Sequence, residues 1–462
     1  MNNGYAKFIE RKLGVERGSG LKGDFDLNPK LFPHQDAVTR FALRIGRAAE
    51  FLDTGLGKTA SQLEWARVIM ERQNCPVLIL APLAVSRQTQ REATRFGIEA
   101  SVVRRQAEVT GPGIWITNYE KLQHFDPATF GAVVLDESSI LKSFAGKTRQ
   151  ALSDAFSGTR FKLCCTATPS PNDHMELGNH SHFLGYFTQM EMLTRYFIND
   201  TSQASQHWRL KRHGIRPFWD WISSWSRCVS HPADLGFSNN GFALPQLDVR
   251  KHIVGVDATK DRGDFLFRMP GVSATSIHTE RRLTAASRAD AVASLVAREP
   301  DETWLVWCDT NYEADELVRA MPDAVEIRGN MADEKKEERL LGFADGDVGV
   351  LITKPKIAGH GMNWQNCARM VFAGMSYSYE AFYQAVRRCW RYGQKRPVKV
   401  WCVMAETETH AWSVVQNKAE AHDEMKVEML AATKRAAKSG DRNRVPYDPI
   451  HEGRLPTWLQ PQ

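Results

Sequence analysis

The sequence predicts an α/β protein of two tandem lobes, each built on a parallel β-sheet, with a mostly helical, aromatic-rich insertion between them. Two series of short apolar, β-rich runs alternate with helix-like segments, a pattern typical of doubly wound parallel sheets. The chain has 462 residues, and a single hydrophobic core stops growing near ~250 to 300 residues. Because 42% of the residues are apolar and 25% are charged, the composition is that of an ordinary globular protein.

The two series of strands define the lobes. Predicted strands of the first series are 77–80, 114–117, 132–135 and 161–166, and those of the second are 303–308, 324–327, 349–353, 370–373 and 398–403. Helices are predicted at 61–70, 313–319 and 335–343, with a long one ending near Gly440. The resulting division is an N-terminal arm (1–30), a first lobe (31–185), an insertion or bridge (186–264), a second lobe (265–430) and a basic, proline-containing tail (431–462).

Charge and cysteine usage narrow the location and the class of partner. The formal net charge is +6, which permits a polyanionic partner without requiring one. The eight cysteines form no C-x-x-C pair, so they are interpreted as reduced thiols. No stretch approaches the ~18 apolar residues of a membrane span, and the N-terminus has no apolar signal region. A cytoplasmic protein is expected.

A glycine turn predicts a phosphate site. Residues 53–59 read Asp-Thr-Gly-Leu-Gly-Lys-Thr and precede a predicted helix, whose free N–H groups would face an anion. Lys58 would reach the β and γ phosphates and Thr59 would place its hydroxyl on Mg²⁺. Leu52 stands where the usual pattern has glycine, so a plain glycine turn is the alternative for this segment alone. The predicted nucleotide contacts are Thr54, Gly55, Leu56, Gly57, Lys58 and Thr59.

Two carboxylates follow the predicted strand 132–135, at the sheet edge where ligands of open α/β folds bind. Asp136 would hold Mg²⁺, and Glu137 would orient the attacking water. Adjacent carboxylates at a strand end are also common by chance, but Lys58 upstream favours the functional interpretation.

Two arginines in the second half complete the predicted catalytic set. Arg388 and Arg391 are three residues apart, so on a helix they would share one face and meet the charge that develops on a γ-phosphate. The alternative is a basic surface helix. If the arginines come from the second lobe, hydrolysis requires the lobes to close, and closure converts turnover into motion.

Five segments in fixed order resemble the motifs of superfamily 2 helicase-like ATPases, the group that includes DEAD/DEAH-box proteins: 54–59, 136–139, 166–169, 359–363 and 384–394. The last segment is most similar to that of swi/snf-type DNA translocases, and the compact length resembles bacteriophage versions. The resemblance runs from Leu31 to about Val403. It implies RecA-like lobes, ATP and Mg²⁺ as cofactors, and DNA as partner, with duplex favoured and single strands possible. It further implies a monomer in a bacterial or phage-infected host cytoplasm, without a membrane partner.

The resemblance also implies roles for individual residues. Gln35 would read adenine, since an amide donates and accepts together, and Gly361 lies in a glycine-rich loop that would approach phosphate. Residues matching nucleic-acid contacts or coupling segments are Pro82, Thr117, Tyr119, Thr166, Thr168, Thr353, Asn363 and Gln384. The departures are Ser138-Ser139 after the acidic pair, Arg387 where an aspartate is common, and Lys354-Pro355-Lys356.

Two residue groups have competing interpretations. Trp219, Trp221 and Trp225 would either stack on bases or pack in a core between the lobes, and the helical spacing of the last two favours packing. Three histidines in 174–182 lack a convincing metal-ligand spacing, so no metal other than Mg²⁺ is expected.

The sequence thus predicts an ATP-dependent nucleic-acid translocase or helicase that prefers duplex DNA. One alternative is an RNA or single-strand helicase, which would differ by contacts to the 2′-hydroxyl. Another is a non-catalytic adaptor that uses ATP only to close around DNA, against which the presence of Glu137, Arg388 and Arg391 argues.

Overall fold

The computed structural model describes residues 18–82, 85–142, 147–170, 173–200, 207–256, 274–358, 363–374 and 376–439. The strands within these residues are β1 (Arg47–Leu52), β2 (Pro76–Ala81), β3 (Ser101–Val102), β4 (Gly113–Asn118), β5 (Ala132–Asp136), β6 (Phe161–Cys165), β7 (Phe197–Asp200), β8 (His207–Leu210), β9 (Ser226–Val229), β10 (Leu247–Val254), β11 (Trp304–Trp307), β12 (Val325–Glu326), β13 (Val350–Thr353), β14 (Arg369–Phe372) and β15 (Val398–Ala405). The α-helices are α1 (Pro33–Ile45), α2 (Lys58–Gln73), α3 (Ser86–Phe96), α4 (Lys147–Ala155), α5 (Leu177–Leu184), α6 (Gln189–Tyr196), α7 (Ile215–Trp225), α8 (Ala274–Leu283), α9 (Ala285–Ala297), α10 (Asn311–Ala320), α11 (Asp333–Asp345), α12 (Pro355–Ala358), α13 (Tyr379–Val386) and α14 (Thr409–Ser439).

The first lobe contains a parallel sheet of seven described strands in the order β3-β4-β2-β5-β6-β1-β9. The four strands predicted for this lobe are β2, β4, β5 and β6. Strand β1 is not evident in the sequence because its residues, Arg-Ala-Ala-Glu-Phe-Leu, include alanines and a glutamate, which are depleted in strands. It lies between β6 and β9, where both of its edges are hydrogen-bonded.

The second lobe contains a parallel sheet of six described strands in the order β10-β15-β14-β11-β13-β12. Its five predicted strands are β11 to β15. The two sheets confirm the predicted fold class of two α/β lobes.

The bridge between the lobes contains the helices α6 and α7, together with strands that its sequence pattern does not indicate. The strands β7 and β8 form an antiparallel hairpin. Strand β9 pairs with β1 of the first sheet, and β10 pairs with β15 of the second. The bridge therefore extends both sheets as well as connecting them.

Helix α7 packs its tryptophans into the first lobe. Trp219, Trp221 and Trp225 are at most 1% exposed. The ring of Trp221 lies 5.1 Å from that of Phe187 and 5.5 Å from that of Tyr196, centroid to centroid. The packed interpretation is confirmed, although the core belongs to the first lobe and is not an inter-lobe core, and these rings present no surface to a nucleic-acid base.

The C-terminal helix α14 joins the hydrophobic cores of the two lobes. Its 31 residues span about 46 Å at 1.5 Å per residue. Near its start, Trp412 and Val415 pack in the second-lobe core, and further along Met425 and Met429 pack in the first-lobe core. Neither this helix nor any other that the structure describes combines the length and apolar character needed to cross a membrane.

We expect Trp221→Ala to lower the free energy of unfolding by about 3–5 kcal/mol, because it removes a large buried ring and leaves a cavity. Equilibrium urea denaturation followed by far-UV circular dichroism measures this change. Met190→Ala is the control, since Met190 is 56% exposed and its truncation should stay within about 0.5 kcal/mol. Equal effects of the two substitutions would contradict the assignment of Trp221 to the core.

Candidate active site at the lobe interface

The loop between β1 and α2 is held in its shape by two glycines and by the second lobe. Gly55 and Gly57 have φ values of 98° and 81°, which favour glycine. A Cβ atom at Gly55 would lie 2.8 Å from the backbone nitrogen of Tyr392, in the second lobe, and one at Gly57 would overlap the amide of Gln35. Helix α2 begins at Lys58, so its first N–H groups face this loop.

Gln35 and His34 lie against the same loop. The Gln35 amide nitrogen donates to the carbonyl of Leu56 at 3.0 Å, while its oxygen accepts from the backbone nitrogen of Phe32 at 3.0 Å. His34 also contacts the Leu56 carbonyl, at 3.1 Å. The amide that the family resemblance assigns to adenine is therefore adjacent to the loop, and its contact with adenine stays a prediction.

Two polar groups of this loop, the Lys58 ammonium and the Thr54 hydroxyl, differ in their hydrogen bonding. The ammonium of Lys58 donates to the carbonyl of Leu52 at 3.3 Å. The hydroxyl oxygen of Thr54 is buried, and no described residue makes a hydrogen bond to it. A buried polar atom without a partner costs free energy, so an incoming anion at this loop would find a donor ready.

The predicted acidic pair lies at the carboxyl end of β5. Asp136 is buried, and burial together with the charge of Glu137 raises its pKa to about 7, against the opposing effect of Lys58. Glu137 has a φ of 54°, a left-handed conformation that costs a non-glycine residue about 1 kcal/mol or more. Strained backbone of this kind is concentrated at functional sites.

Hydrogen bonds connect the acidic pair to three of the predicted coupling residues. Thr166, after the end of β6, donates its hydroxyl to the Glu137 carboxylate at 3.4 Å, and the backbone nitrogen of Thr168 donates to that hydroxyl at 3.1 Å. Tyr119 donates its hydroxyl to the carbonyl of Asp136 at 2.7 Å. The structure thus brings these three residues to the carboxylates.

Arg388 and Arg391 lie beyond the helix that was predicted to carry them. Helix α13 ends at Val386, so the prediction of a shared helical face is wrong. The carbonyl of Arg388 instead accepts from the backbone nitrogen of Trp364 at 3.0 Å, a tertiary contact that requires the chain to turn. The Arg388 guanidinium is buried and donates to the carbonyl and to the side-chain oxygen of Gln384, each at 3.1 Å.

The two guanidinium groups crowd positive charge at the interface. Burial lowers the pKa of Arg388, and Glu137 of the other lobe opposes that shift. Burial and repulsion from Arg388 lower the pKa of Arg391 to about 10, with Glu92 of the first lobe opposing. Because nearby like charges disfavour the charged form, an anion placed beside both arginines would be stabilised there.

A cleft of about 1760 Å³ opens between the lobes beside the acidic pair. Five of the predicted nucleic-acid or coupling residues contribute to its lining, namely Pro82, Thr117, Tyr119, Asn363 and Gln384, as does Glu137. Thr353 turns its hydroxyl to the carbonyl of Ile327, 3.5 Å away inside the second lobe. Gly361 lies outside the described residues.

The first-lobe wall of this cleft is basic. Its cations are Arg87, Arg91, Arg95, Arg104, Lys121 and Lys142, and its carboxylates are Glu92, Glu120 and Glu137. Three of these arginines recur every fourth residue along α3, a stripe visible in the sequence that motif-based reasoning passed over. Among the described residues that line the cleft, three ion pairs join the lobes: Glu337 meets Arg91 at 2.9 Å and Arg87 at 3.2 Å, and Lys142 meets Glu380.

Comparison with known proteins finds a family match in the second lobe. Residues 287–393 match the family described as the helicase conserved C-terminal domain. The matched residues lie within the second lobe, which is therefore similar to a helicase C-terminal domain. The match confirms the predicted helicase-like family and includes the Arg388–Arg391 segment, while the phage-like and DEAD/DEAH-box attributes stay predictions.

One solved structure that matches this chain is the SWI2/SNF2 ATPase core of Sulfolobus solfataricus in complex with double-stranded DNA. It is 14% identical in sequence, and the alignment covers 91% of this chain and 97% of that chain with a TM-score of 0.43. Among curated proteins, none matches this sequence significantly.

Sequence reasoning missed a carboxylate beneath the loop. Glu50 in β1 is fully buried, and its two oxygens receive no hydrogen bond from the described residues under ordinary geometric criteria. Burial raises its pKa to about 8, with Ser61 and Lys58 acting in the opposite direction. A glutamate within an otherwise apolar strand was the available signal.

We expect Glu50→Gln to flatten the dependence of stability on pH. The folded-state pKa of Glu50, about 8, lies above its ordinary value of 4.5, so the folded protein holds a proton that the unfolded chain loses between these values. Stability should therefore fall as pH rises from about 4.5 to about 8, at no more than roughly 1.4 kcal/mol per pH unit from this group.

Urea denaturation of wild type and Glu50→Gln between about pH 5 and pH 9 tests this slope. The control is Glu99→Gln, at an exposed glutamate, which should follow the wild-type curve. Parallel curves for wild type and Glu50→Gln would show that the carboxylate of Glu50 does not titrate in this range.

Proposed function

We propose that this protein is an ATP-dependent nucleic-acid translocase or helicase that hydrolyses ATP between its lobes and moves along DNA, with duplex DNA preferred. The observation that carries the proposal is the approach of Arg388, from the second lobe, to the strained Glu137 of the first, beside the glycine loop. A phosphoryl-transfer site needs an anion cradle, a group that orients water and a cation for the developing charge. Each lobe supplies part of that set.

The loop 54–59 and the start of α2 form the phosphate cradle. Backbone N–H groups at a helix N-terminus bind phosphate oxygens, and Lys58, now bonded to a carbonyl of its own loop, would turn to the β and γ phosphates. Thr59 and Asp136 offer a hydroxyl and a carboxylate, the hard oxygen ligands that suit Mg²⁺. When bound, Mg²⁺ neutralises phosphate charge and would keep Asp136 ionised despite its raised pKa.

Glu137 and Arg388 have complementary tasks in this scheme. Glu137 would orient the attacking water, with its carboxylate held by Thr166. Arg388 would stabilise charge on the transferred phosphoryl group. Since the arginine belongs to the other lobe, hydrolysis depends on the lobes being closed, and phosphate release would weaken that closure.

Nucleic acid is proposed to lie in the cleft along the basic first-lobe wall. Phosphate contacts from arginine and lysine position a nucleic acid without reading its sequence, which suits a motor that must move along any sequence. Duplex DNA is preferred on the resemblance of residues 384–394 to swi/snf-type motors. An RNA or single-strand helicase would use the same wall, and a non-catalytic adaptor would leave Glu137 and Arg388 without a task.

Lys58→Ala and Glu137→Gln should each abolish ATP hydrolysis, but they should differ in binding. Glu137→Gln removes only the group that orients water, so kcat should fall at least about 100-fold while a fluorescent ATP analogue binds as it does to wild type. Lys58→Ala removes a phosphate contact, so binding should weaken as well. Glu99→Gln serves as the control. Loss of nucleotide binding in folded Glu137→Gln would refute the role assigned to that carboxylate.

Steady-state ATPase rates with no polymer, duplex DNA, single-stranded DNA and duplex RNA test the substrate class. We expect duplex DNA to stimulate most, and less at about 200 mM than at about 50 mM salt, because counterion release weakens phosphate binding. Strongest stimulation by single strands or RNA would replace the translocase proposal by a helicase. Nucleotide binding without turnover under any condition would favour the adaptor.

The salt dependence of DNA binding tests where the polymer lies on the protein. Arg91→Ala should lower the salt slope of DNA binding by about one unit, as expected for a single lost phosphate contact. The matched control is Arg319→Ala, an exposed arginine in α10 that also forms ion pairs but does not line the cleft. Equal effects of the two substitutions would place the DNA elsewhere.

A further inference from the structure

The first residue of the glycine loop is fixed by groups from outside the first lobe. Asp53 is 6% exposed, and both of its carboxylate oxygens lie 2.6 Å from the ammonium of Lys426 in α14. The hydroxyl of Tyr383 in α13 donates to the same carboxylate at 3.1 Å, and the guanidinium of Arg387 lies 3.5 Å from it. We call these four residues the Asp53 cluster.

The members of the cluster are themselves firmly placed. Arg387 is buried and lies over the rings of Tyr383 and Trp390, 5.1 Å and 4.4 Å from their centroids. Burial raises the pKa of Asp53, but attraction to Lys426 and Arg387 and hydrogen bonds from Lys426 and Tyr383 outweigh it, so the pKa is lowered. The carboxylate is therefore ionised at neutral pH, and each cation has a geometric reason to stay beside it.

Lys426 lies where α14 passes from one lobe to the other. Before it, Trp412 and Val415 pack in the second-lobe core, and around it Met425 and Met429 pack in the first-lobe core. The helix thus holds the ammonium at the junction, so a change in how α14 sits on either lobe would move it. Because Asp53 directly precedes Thr54 and Gly55, such a movement would be transmitted to the phosphate cradle.

We propose that Lys426 is a positioning residue for ATP: through Asp53, helix α14 and the second lobe hold the phosphate-binding loop in the shape that binds the phosphates. This proposal rests on the function proposed above. Its consequence is that opening of the lobes weakens ATP binding directly, since Tyr383 and Arg387 would leave Asp53. The loop then senses closure even before Arg388 meets the γ-phosphate.

Lys426→Met tests the proposal with little risk to folding, because Arg387 remains to pair with Asp53. We expect the KM for ATP to rise at least about 10-fold, with kcat changed less than about threefold, as for an interaction that acts on substrate binding. Lys426→Arg, which keeps the charge, should restore most of the affinity. If Lys426 had only a structural role, Lys426→Met would lower the melting temperature without raising KM selectively over kcat.

The matched control is Lys434→Met. Lys434 lies two turns further along the same helix and also pairs with a carboxylate, Asp234 of the bridge, at 3.1 Å, but Asp234 is not part of the glycine loop and Lys434 is half exposed. The KM of Lys434→Met for ATP should equal that of wild type. An unchanged KM in folded Lys426→Met, or equal changes in both variants, would overturn the proposal.

Hydrogen exchange supplies a readout that does not need turnover. Amides of residues 53–59 should exchange at least about 10-fold faster in Lys426→Met and in Asp53→Asn, while the strands of the first sheet exchange as in wild type. The double variant should be no worse than either single one, since both remove the same contact. If Lys426→Met does not fold, Asp53→Asn and Tyr383→Phe carry the same test.

These readouts separate the two proposals. If the wild-type protein has no ATPase activity but hydrogen exchange in the loop depends on Lys426, the proposed function is wrong. The proposed contact between α14 and the loop then still stands. If the wild-type protein is active but neither its KM for ATP nor its loop exchange changes in Lys426→Met, the proposed function stands and the role proposed for Lys426 is wrong.

Discussion

The carboxyl ends of parallel strands meet at one edge of a sheet, and the candidate catalytic groups depend on that constraint. Strand β1 ends at the glycine loop, β5 ends at Asp136, and β6 ends just before Thr166. These segments are far apart in sequence, yet β5, β6 and β1 are consecutive in the sheet. A parallel arrangement therefore brings the glycine loop, the carboxylate pair and the Thr166 hydroxyl together at one edge of the sheet.

Several buried carboxylates lie at or near that edge, and the surroundings of each one shift its pKa differently. Asp53 is ionised because Lys426 and Arg387 lie beside it. At Glu50 burial outweighs the opposing effects of Ser61 and Lys58, so the neutral form is favoured up to about pH 8. Asp136 has a pKa of about 7, because burial and the charge of Glu137 raise it while Lys58 partly opposes them. The ionisation of each group thus follows from its neighbours more than from its residue type.

The sequence revealed those parts of the protein whose signal is local. Apolar runs located the central strands, and the glycine pattern located the turn that precedes α2, because each depends on neighbouring residues alone. Arg388 was misplaced on a helix because α13 ends at Val386, an end that the local sequence pattern does not show. Strand β10 was missed because its edge position leaves Arg250 and Lys251 exposed, so it lacks the apolar run of a central strand. Lys426 and Asp53 are 373 residues apart, beyond the reach of any motif.

One departure from the family pattern becomes intelligible through the Asp53 cluster. An aspartate is common where this chain has Arg387, and in this structure it would add a second carboxylate close to Asp53, leaving Lys426 alone to balance both. Like charges that approach in a buried site disfavour ionisation, and a protonated Asp53 would lose its strong hold on the helix. Arg387 and Asp53 are therefore best understood as a matched pair. Their pairing ties the glycine loop to α13, the helix that leads into Arg388, so the proposed phosphate-binding loop and the proposed γ-phosphate sensor are physically connected.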